Sequence, residues 1–348
     1  MSTTQTPGIP APQSVEQGDG AEALLAGERR VRVARRREAA TGIVELTLIP
    51  VSPADDPLDE WQPGAHVDIV LPSGTVRQYS LCGHPDRPQE YVIAVLREPE
   101  GRGGSAEVHD QLTEGTVVTV RGPRNHFRLA EAPRYLFLAG GIGITPVLTM
   151  AREAAATGTS WKLIYGGRTS ASMAYTDELL ELAALSQGTV ELVPQDAQGH
   201  PDFATAFTAA EEGTAVYACG PEPMLQAVEA LSGELLPEGA LHLERFGAKP
   251  QDEAASDTSD TEFEVELARS GRTLTVPADR RLIDVVREVV PQVPFSCEEG
   301  YCGSCETGVL DGIPDHRDQV LTPEERDTNE TMMICVGRCL SQKLVLDL

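Results

Sequence analysis

Four cysteines near the carboxyl end of the chain constrain its folding more than any other feature. Cys297, Cys302 and Cys305 follow the spacing C-x4-C-x2-C, and Cys335 lies thirty residues further along. This spacing with a distant fourth cysteine is typical of plant-type [2Fe–2S] proteins, in which four thiolates converge on two irons. The sequence therefore predicts an iron–sulfur cluster bound by these four side chains.

Two alternatives for this loop stay open on the sequence alone. Four cysteines can also bind a structural zinc ion, although zinc ribbons usually bring two C-x2-C pairs and this loop has one. Cys339, about one helical turn beyond Cys335, is the rival for the fourth ligand position. A Rieske centre needs two histidine ligands, and the nearest histidine, His316, has no Cys-x-His context. We expect the four-cysteine cluster, with Cys339 outside it.

The 348 residues divide by pattern into three domains, a tail and a linker. Residues 1–27 predict a disordered tail without the apolar centre of a signal peptide. Residues 28–132 contain short apolar runs between Pro, Gly and Asp, which predicts a small antiparallel β-barrel. Residues 133–246 alternate strand and helix patterns, as parallel sheets do. An acidic linker without apolar periodicity covers 247–262, and the cysteine-bearing domain covers 263–348.

Individual elements follow from the same patterns. Strands are predicted at 42–49, 66–71, 91–96, 117–121, 135–139, 161–165, 190–193, 215–218, 263–268 and 273–276. Helices are predicted at 145–157, 177–185 and 222–231. A further helix, with Asp279 as its cap, places Leu282, Val285, Val286 and Val289 on one face.

The charge balance limits the partners of the chain. Its formal net charge is −26, which argues against nucleic acid because phosphate binding needs clustered Lys and Arg. No apolar run approaches the roughly 18 residues of a transmembrane helix. We expect a monomeric cytoplasmic protein with reduced thiols and no membrane partner.

Two motifs in the β-rich domain suggest a bound phosphate compound. The tetrapeptide Arg77-Gln78-Tyr79-Ser80 follows a turn, and a Gly-rich segment, Gly101-Arg102-Gly103-Gly104-Ser105, lies downstream. A Gly-rich turn beside an arginine cradles phosphate, because exposed N–H groups and a fixed positive charge both face the anion. Taken alone, the tetrapeptide is equally explained by a buried tyrosine and an ordinary strand serine.

The α/β domain carries two further motifs at strand ends. The predicted strand 135–139 runs into the segment 140–146, GGIGITP, in which Thr145 and Pro146 suit a helix cap and first turn. The helix amino terminus then faces a dinucleotide pyrophosphate. The second motif is Cys219-Gly220-Pro221. Close strand–helix packing and a small core residue are the alternative explanations of these two motifs.

Together these motifs resemble the ferredoxin–NADP reductase superfamily. More closely, the chain is similar to the phthalate dioxygenase reductase and vanillate demethylase reductase group, in which FMN, pyridine-nucleotide and plant-type ferredoxin domains follow in this order. The resemblance covers nearly all of residues 31–348 apart from the linker. It implies an antiparallel β-barrel for the flavin, an α/β parallel sheet for the nucleotide and an α+β ferredoxin domain of the β-grasp type.

The resemblance also implies roles for residues at the flavin. Tyr79 and Ser80 would lie at the isoalloxazine ring, with the Ser80 hydroxyl near the hydride-accepting nitrogen, and Phe246 would close over the ring. Further flavin contacts would come from Arg77, Gln78, Ala94, Val95 and Leu96 along the ring and tail, and from Arg102, Gly103, Gly104 and Ser105 at the FMN phosphate.

At the nucleotide, the resemblance places Cys219 beside the nicotinamide, and we expect Ser80 and Cys219 to be the catalytic residues. The dinucleotide would contact Gly140, Gly141, Gly143, Thr145, Gly220 and Pro221. After the predicted strand 161–165, no acidic residue is placed to bind a ribose 2′-hydroxyl, and Arg168 could tolerate a 2′-phosphate. The family favours NADH, with NADPH possible.

The function implied is that of a reductase component. Electrons would pass from NADH through FMN and the [2Fe–2S] cluster to a terminal oxygenase, a Rieske-type enzyme that hydroxylates or demethylates an aromatic substrate. A reductase for a cytochrome P450 or another acceptor is the nearer alternative. A non-enzymatic electron carrier, in which the flavin unit is only structural, is the more distant one.

Overall fold

The computed structural model describes residues 28–52, 57–99, 103–247 and 260–348. The predicted tail, most of the predicted linker and Arg102 lie outside these ranges. Among the described residues, none of the helices combines the length and apolar character needed to cross a membrane.

The first domain is a six-stranded antiparallel barrel, as predicted. Its strands are β1 (Glu28–Ala40), β2 (Ile43–Pro50), β3 (His66–Val70), β4 (Val76–Ser80), β5 (Tyr91–Leu96) and β6 (Val117–Arg124), followed in space as β4-β3-β6-β1-β2-β5. An isolated bridge between Leu81 and Ile93 links the edge strands. Alternate side chains such as Val67 and Ile69 on β3 fill the interior. The helix α1 (Gly104–Gln111) lies between β5 and β6.

The second domain is a five-stranded parallel sheet in the order β11-β10-β7-β8-β9, which also confirms the prediction. Its elements are β7 (Arg134–Gly140), α2 (Ile144–Ala156), β8 (Ser160–Gly167), α3 (Thr176–Ala184), β9 (Gly188–Pro194), α4 (Gln195–Gln198), α5 (Phe203–Thr208), β10 (Thr214–Cys219), α6 (Glu222–Leu235) and β11 (Leu241–Glu244). Separate hydrophobic clusters cover the two faces of the sheet. The carboxyl ends of β7 and β10 lie side by side, which brings the GGIGITP and Cys-Gly-Pro segments together.

Thr145 does not cap α2, which corrects one prediction. The helix begins at Ile144, and Gly143 is its N-cap. The segment Gly141–Gly143 forms a single 3-10 turn, so the helical path starts before Thr145. The Thr145 hydroxyl donates instead to the backbone oxygen of Ile142 at 3.0 Å.

Polar contacts fix the barrel against the nucleotide domain. The Tyr175 hydroxyl donates to Glu45 Oε2 at 2.9 Å, and Glu45 is buried in the barrel wall. Arg152 on α2 donates to the backbone oxygens of Cys82 and Gly83 at 2.7 and 2.6 Å. These bonds hold the carboxyl edge of the parallel sheet close to β4 and β5.

The third domain combines a mixed five-stranded sheet with two short helices, as expected for a ferredoxin fold. Its sheet order is β13-β12-β18-β14-β16, with β12 and β18 parallel. The elements are β12 (Phe263–Leu267), β13 (Arg272–Val276), α7 (Leu282–Arg287), β14 (Glu306–Asp311), β15 (Pro314–Asp315), α8 (Pro323–Thr328), β16 (Thr331–Met333), β17 (Arg338–Cys339) and β18 (Lys343–Leu346). The predicted domain limits stay predictions; those at 132/133, 246/247 and 262/263 lie between two sheets.

The predicted cap of α7 is wrong. The N-cap residue is Arg281, not Asp279, and its side chain makes no capping bond. Arg281 instead pairs with Asp284 in the first turn and with Glu298 in the cysteine loop. These ion pairs bind the start of the helix to the loop, and an acidic first turn suits the helix dipole. Val289 lies past the end of the helix but packs on the same core.

Candidate functional site

A cavity of about 380 Å3 opens where the three domains meet. The barrel lines it with Val76, Arg77, Gln78, Tyr79, Ser80, Ala94, Val95, Leu96, Glu98, Gly104 and Ser105. The nucleotide domain adds Ile142, Thr145, Glu244 and Phe246, and the cysteine loop adds Ser296, Cys297 and Tyr301. Most residues predicted for the flavin therefore border one space, together with one predicted cluster ligand.

One end of the cavity is suited to an anion. It lies at the amino terminus of α1, where Gly103 is the N-cap with φ 83°. A Cβ placed on Gly104 would come within 2.5 Å of Arg77 Nε, so the arginine side chain lies directly over the helix start. The Glu98 N–H donates to Ser105 Oγ at 3.0 Å and fixes this hydroxyl. Backbone N–H groups and a guanidinium thus converge where a flavin phosphate is expected.

The other end of the cavity is suited to an aromatic ring. Tyr79 packs against the barrel core, and burial strongly raises the pKa of its hydroxyl. Ser80 is buried on the same strand, and Phe246 stands at the rim with 42% of its surface exposed. Next to Phe246, Arg245 is held by Glu222 and Glu229 of α6. A planar apolar group with polar edges, such as a flavin ring, fits these surroundings.

Glu244 is a site residue that the sequence did not reveal. It lies opposite Cys219 in the β10–β11 register, and its Oε2 atom is buried without a hydrogen-bond partner in the described structure. Burial raises the pKa of Glu244 to about 8. Burial, and then Glu244 itself, raises the pKa of the Cys219 thiol well above its usual value. The carboxyl ends of β10 and β11 therefore carry a neutral thiol and a carboxyl that retains its proton near neutral pH.

The glycines at the strand ends have different structural roles. A Cβ on Gly143 would lie 2.2 Å from the backbone oxygen of Cys219, and one on Gly140 would lie 2.7 Å from Pro221. A Cβ on Gly220 would lie 2.8 Å from Met224 Sδ. These three glycines let the two strand-end segments pack together. Gly141, with φ 53°, faces open space and leaves room for a dinucleotide.

Arg168 stands apart from the other residues predicted to bind the nucleotide. It follows the carboxyl end of β8, and its side chain is exposed. Its backbone oxygen accepts from the N–H of Asp196 at 3.2 Å. The guanidinium is therefore free of the central cavity, at an edge where an adenosine ribose could reach it.

The structure brings the four predicted cluster cysteines together, and all four are buried. Their thiols form a chain of neighbours in the order Cys302, Cys297, Cys335 and Cys305. The N–H of Glu299 donates to Cys297 Sγ at 3.3 Å, and the N–H of Cys297 to Cys302 Sγ at 3.5 Å. Sulfurs arranged in this way, and solvated by backbone N–H groups, fit a two-iron cluster.

The chemistry of these thiols also favours a cationic centre. The neighbouring Cys297 thiol, and then burial, raises the pKa of the Cys302 thiol. Neighbouring thiols that raise one another's pKa lose their protons when they bind a metal ion. Within the described residues, no three His, Cys, Asp or Glu side chains close around a single metal-ion position. Four buried thiols are the ligand set that a [2Fe–2S] cluster requires.

Cys339 lies outside this group. Its thiol donates to the backbone oxygen of Ser341 at 2.9 Å, and the residue is part of β17. Glycines shape the loop that holds the other cysteines: Gly300 and Gly303 have φ values of 75° and 72°. A Cβ on Gly300 would lie 2.7 Å from Val336 Cγ2, so the loop packs tightly beside Cys335.

Two family models match the chain. Residues 137–230 match the oxidoreductase NAD-binding domain, and residues 265–339 match the 2Fe-2S iron-sulfur cluster binding domain. The second range contains all four buried cysteines, and the first contains both strand-end segments, of which GGIGITP lines the cavity through Ile142 and Thr145.

Relatives along the whole chain agree with these domains. Phenoxybenzoate dioxygenase subunit beta from Ectopseudomonas oleovorans is 44% identical over 85% of this chain and 91% of its own length. The solved structure of phthalate dioxygenase reductase, described as modular for electron transfer from pyridine nucleotides to [2Fe–2S], is 37% identical, with a TM-score of 0.66 over 93% of this chain and 98% of that one.

A second solved structure is a larger protein. An intact type IV self-sufficient cytochrome P450 monooxygenase is 40% identical, with a TM-score of 0.83 over 92% of this chain. The match covers 41% of that chain, so this protein corresponds to about two fifths of it.

Proposed function

The chain belongs to the phthalate dioxygenase reductase family, and from that premise we propose that it carries electrons from NADH, through FMN and a [2Fe–2S] cluster, to a terminal oxygenase. The observation that carries the proposal is the shared cavity. Tyr79 and Ser80 of the barrel, Phe246 of the nucleotide domain and Cys297 of the cysteine loop all line it. A flavin held there would have residues of the nucleotide domain and a proposed cluster ligand, Cys297, in the same cavity wall.

The cofactors supply the redox chemistry. When bound, a flavin accepts a hydride and gives up its electrons singly, and a [2Fe–2S] cluster accepts one electron at a time. The protein sets their order and separation. Cys297, Cys302, Cys305 and Cys335 would hold the cluster, and Arg77, Gly103, Gly104 and Ser105 would hold the flavin phosphate.

Around the flavin ring, side chains of this protein would bind and orient the ring and the nicotinamide. Ser80 lies on β4 at the cavity wall, and Phe246, at the rim, would shield a bound ring from water. The protonated carboxyl of Glu244 can donate a hydrogen bond to a carboxamide oxygen of the nicotinamide. The neutral Cys219 thiol lies opposite Glu244 in the β10–β11 register and adds no charge there. Hydride transfer needs no general acid or base from these residues.

We propose a Rieske-type oxygenase as the acceptor, acting on an aromatic compound. The support is that relatives of nearly the same length are named as parts of dioxygenase and demethylase systems. A cytochrome P450 is the second candidate acceptor. It is favoured by the 40% identity and TM-score of 0.83 to part of a self-sufficient P450.

An anaerobic titration with NADH tests the function. The purified chain should release FMN on denaturation, and stoichiometric NADH should bleach the flavin and produce the electron paramagnetic resonance (EPR) signal of a reduced [2Fe–2S] cluster. Repeating the titration with NADPH measures the preference at the exposed Arg168. A flavin that stays oxidised with both nucleotides, beside an intact cluster, contradicts the proposal and supports an electron carrier. Adding a Rieske oxygenase or a P450 to the reduced protein then separates the two acceptors.

A further inference from the structure

Part of the outer face of the barrel is buried, although outer faces of small barrels usually meet solvent. On β3, Val67 and Ile69 point into the barrel core, so His66 and Asp68 point outward. Yet His66 is only 3% exposed and Asp68 only 1%. The cysteine loop of the third domain covers them.

One arginine joins the two surfaces. Arg124, at the end of β6, donates from Nη2 to Asp68 Oδ2 at 2.5 Å and to Ser304 Oγ at 2.8 Å. Ser304 lies between the ligands Cys302 and Cys305, and its Oγ is 3.4 Å from both Asp68 Oδ2 and Cys302 Sγ. A single guanidinium nitrogen therefore binds a buried barrel carboxylate and a hydroxyl of the cluster loop.

Two more contacts seat the loop at the same place. Gln78 Nε2 donates to the backbone oxygen of Cys302 at 3.5 Å, a long hydrogen bond. A Cβ on Gly303 would come within 2.5 Å of His126 Nε2, so the loop backbone lies directly against that ring. His126 in turn stacks on His66, with ring centroids 5.7 Å apart. Only a glycine at position 303 allows this approach.

We propose that Arg124, anchored by Asp68, is a positioning residue that seats the Cys302–Cys305 loop on the flavin barrel and directs the Ser304 hydroxyl at Cys302 Sγ. A hydroxyl oxygen that accepts from a guanidinium keeps its own proton for another acceptor. With its own proton, the Cys302 thiol donates to Ser304 Oγ, and Ser304 donates to Asp68 Oδ2. As a cluster ligand, Cys302 is a thiolate without a proton, so it can only accept from the Ser304 hydroxyl. The barrel thus controls a hydrogen bond to a cluster sulfur.

This control has a consequence for electron transfer. Hydrogen bonds to cluster sulfurs help to set the reduction potential. When the loop contacts the barrel, the Ser304 hydroxyl stabilises the reduced cluster. When the loop leaves the barrel, Ser304 loses its hydrogen bonds with Arg124 and Asp68. Contact between the loop and the barrel therefore favours electron transfer from the flavin to the cluster. The inference rests on the electron route proposed above.

Three substitutions separate this role from a general effect on the barrel. Ser304→Ala removes the hydroxyl from the loop. Arg124→Lys keeps the charge opposite Asp68 but loses the planar guanidinium geometry that serves two acceptors. Arg121→Lys is the matched control: Arg121 lies on the same strand and opposite Asp68 in the β3–β6 register, but its guanidinium binds Glu28 at 2.8 Å.

The readouts are stopped-flow reduction by NADH and the EPR spectrum and reduction potential of the cluster. S304A and R124K should each slow flavin-to-cluster transfer about tenfold, the size of a lost charge-assisted hydrogen bond. Both should lower the reduction potential and alter the EPR line shape. Hydride transfer to the flavin should stay within about twofold of wild type in every variant. R121K should match wild type throughout.

The double variant R124K/S304A provides the decisive comparison. If Arg124 acts through Ser304, the double variant is no slower than the slower single variant. Multiplication of the two effects, or an equal slowing by R121K, overturns the inference. If R124K loses flavin, S304A carries the test alone, and an unchanged potential and rate in S304A overturn it. Failure of the proposed function shows differently: the wild-type cluster itself would not be reduced by NADH.

Discussion

The cysteine loop and the flavin cavity touch each other but are built in opposite ways. The loop takes three of its four proposed ligands from residues 297–305, and local N–H groups and two positive-φ glycines shape it. The cavity draws its walls from β4, β5, α1, the start of α2, the end of β11 and the loop itself. Substitution of a single ligand cysteine should therefore abolish cluster binding, whereas single substitutions around the cavity should weaken flavin binding by degrees.

The largest effect is expected at the fourth cysteine. Cys335→Ser should abolish the visible absorption and EPR signal of the cluster while the flavin stays bound. Cys339, the nearest other cysteine in the sequence, directs its thiol to Ser341 and so does not replace the fourth ligand. Cys339→Ser is the matched control and should keep both cofactors, since its thiol bonds to Ser341. Loss of the cluster from the Cys339→Ser variant rather than from the Cys335→Ser variant would contradict the assignment of Cys335 as the fourth ligand. The contrast between a locally built loop and a cavity built from distant segments would then fail for the loop.

A smaller effect is expected at the phosphate end of the cavity. Arg77→Gln should weaken FMN binding by about 1.5–3 kcal/mol, the usual contribution of a hydrogen bond to a charged group. The dissociation constant is measured by flavin fluorescence, and the cluster should be unaffected. Arg87→Gln, which removes an exposed guanidinium 3.5 Å from Glu90, should leave FMN affinity unchanged. Equal affinities in wild type and R77Q would show that the phosphate binds elsewhere.

Glycines at the nucleotide edge should separate packing from ligand binding. Gly143→Ala would place a Cβ against the backbone of Cys219, so we expect it to lower the free energy of unfolding by about 1–3 kcal/mol. Gly141→Ala meets open space but keeps a left-handed backbone, which costs about 1–2 kcal/mol. In G141A, the rise in KM for NADH, expressed as a free energy, should exceed the fall in the free energy of unfolding. Denaturant unfolding and steady-state kinetics on both variants check this difference, and the reverse pattern would refute it.

A pH dependence of the free energy of unfolding is expected from Glu244. Its pKa is about 8 in the folded chain and 4.5 as an ordinary carboxyl, so between these values the folded state holds a proton that the unfolded state releases. The stability that it contributes is complete below about pH 4.5 and is lost as the pH rises through about 8. Wild type should therefore lose stability relative to Glu244→Gln over this window. Parallel profiles for the two proteins in denaturant unfolding would contradict the assignment.

The sequence predicted the loop well because its information is local. A fixed cysteine spacing and neighbouring glycines suffice, and strand and helix periodicity likewise located both large sheets. The prediction of Asp279 as the cap of α7 was wrong because Arg281 has ion-pair partners that a cap rule does not include. The prediction of Thr145 as the cap of α2 was wrong because a 3-10 turn at Gly141–Gly143 precedes the helix, which begins at Ile144.

What the sequence could not predict depends on contacts between distant segments. Glu244 ends a four-residue strand, and no local pattern marks it; its role follows from Cys219 on the neighbouring strand. The contact of Arg124 with Ser304 joins positions 180 residues apart. Such pairs appear only when the barrel and the third domain are packed together, so the cavity could be predicted in outline but its acidic and basic partners could not.

The central claim is that one chain passes electrons from its flavin to its own cluster across the shared cavity. The most direct test mixes the protein anaerobically with one equivalent of NADH at several protein concentrations, following flavin absorbance and the EPR signal of the cluster in rapidly frozen samples. The account predicts flavin bleaching first, then a cluster signal whose rate constant does not change with protein concentration. A rate that rises in proportion to concentration would show transfer between molecules and contradict the account.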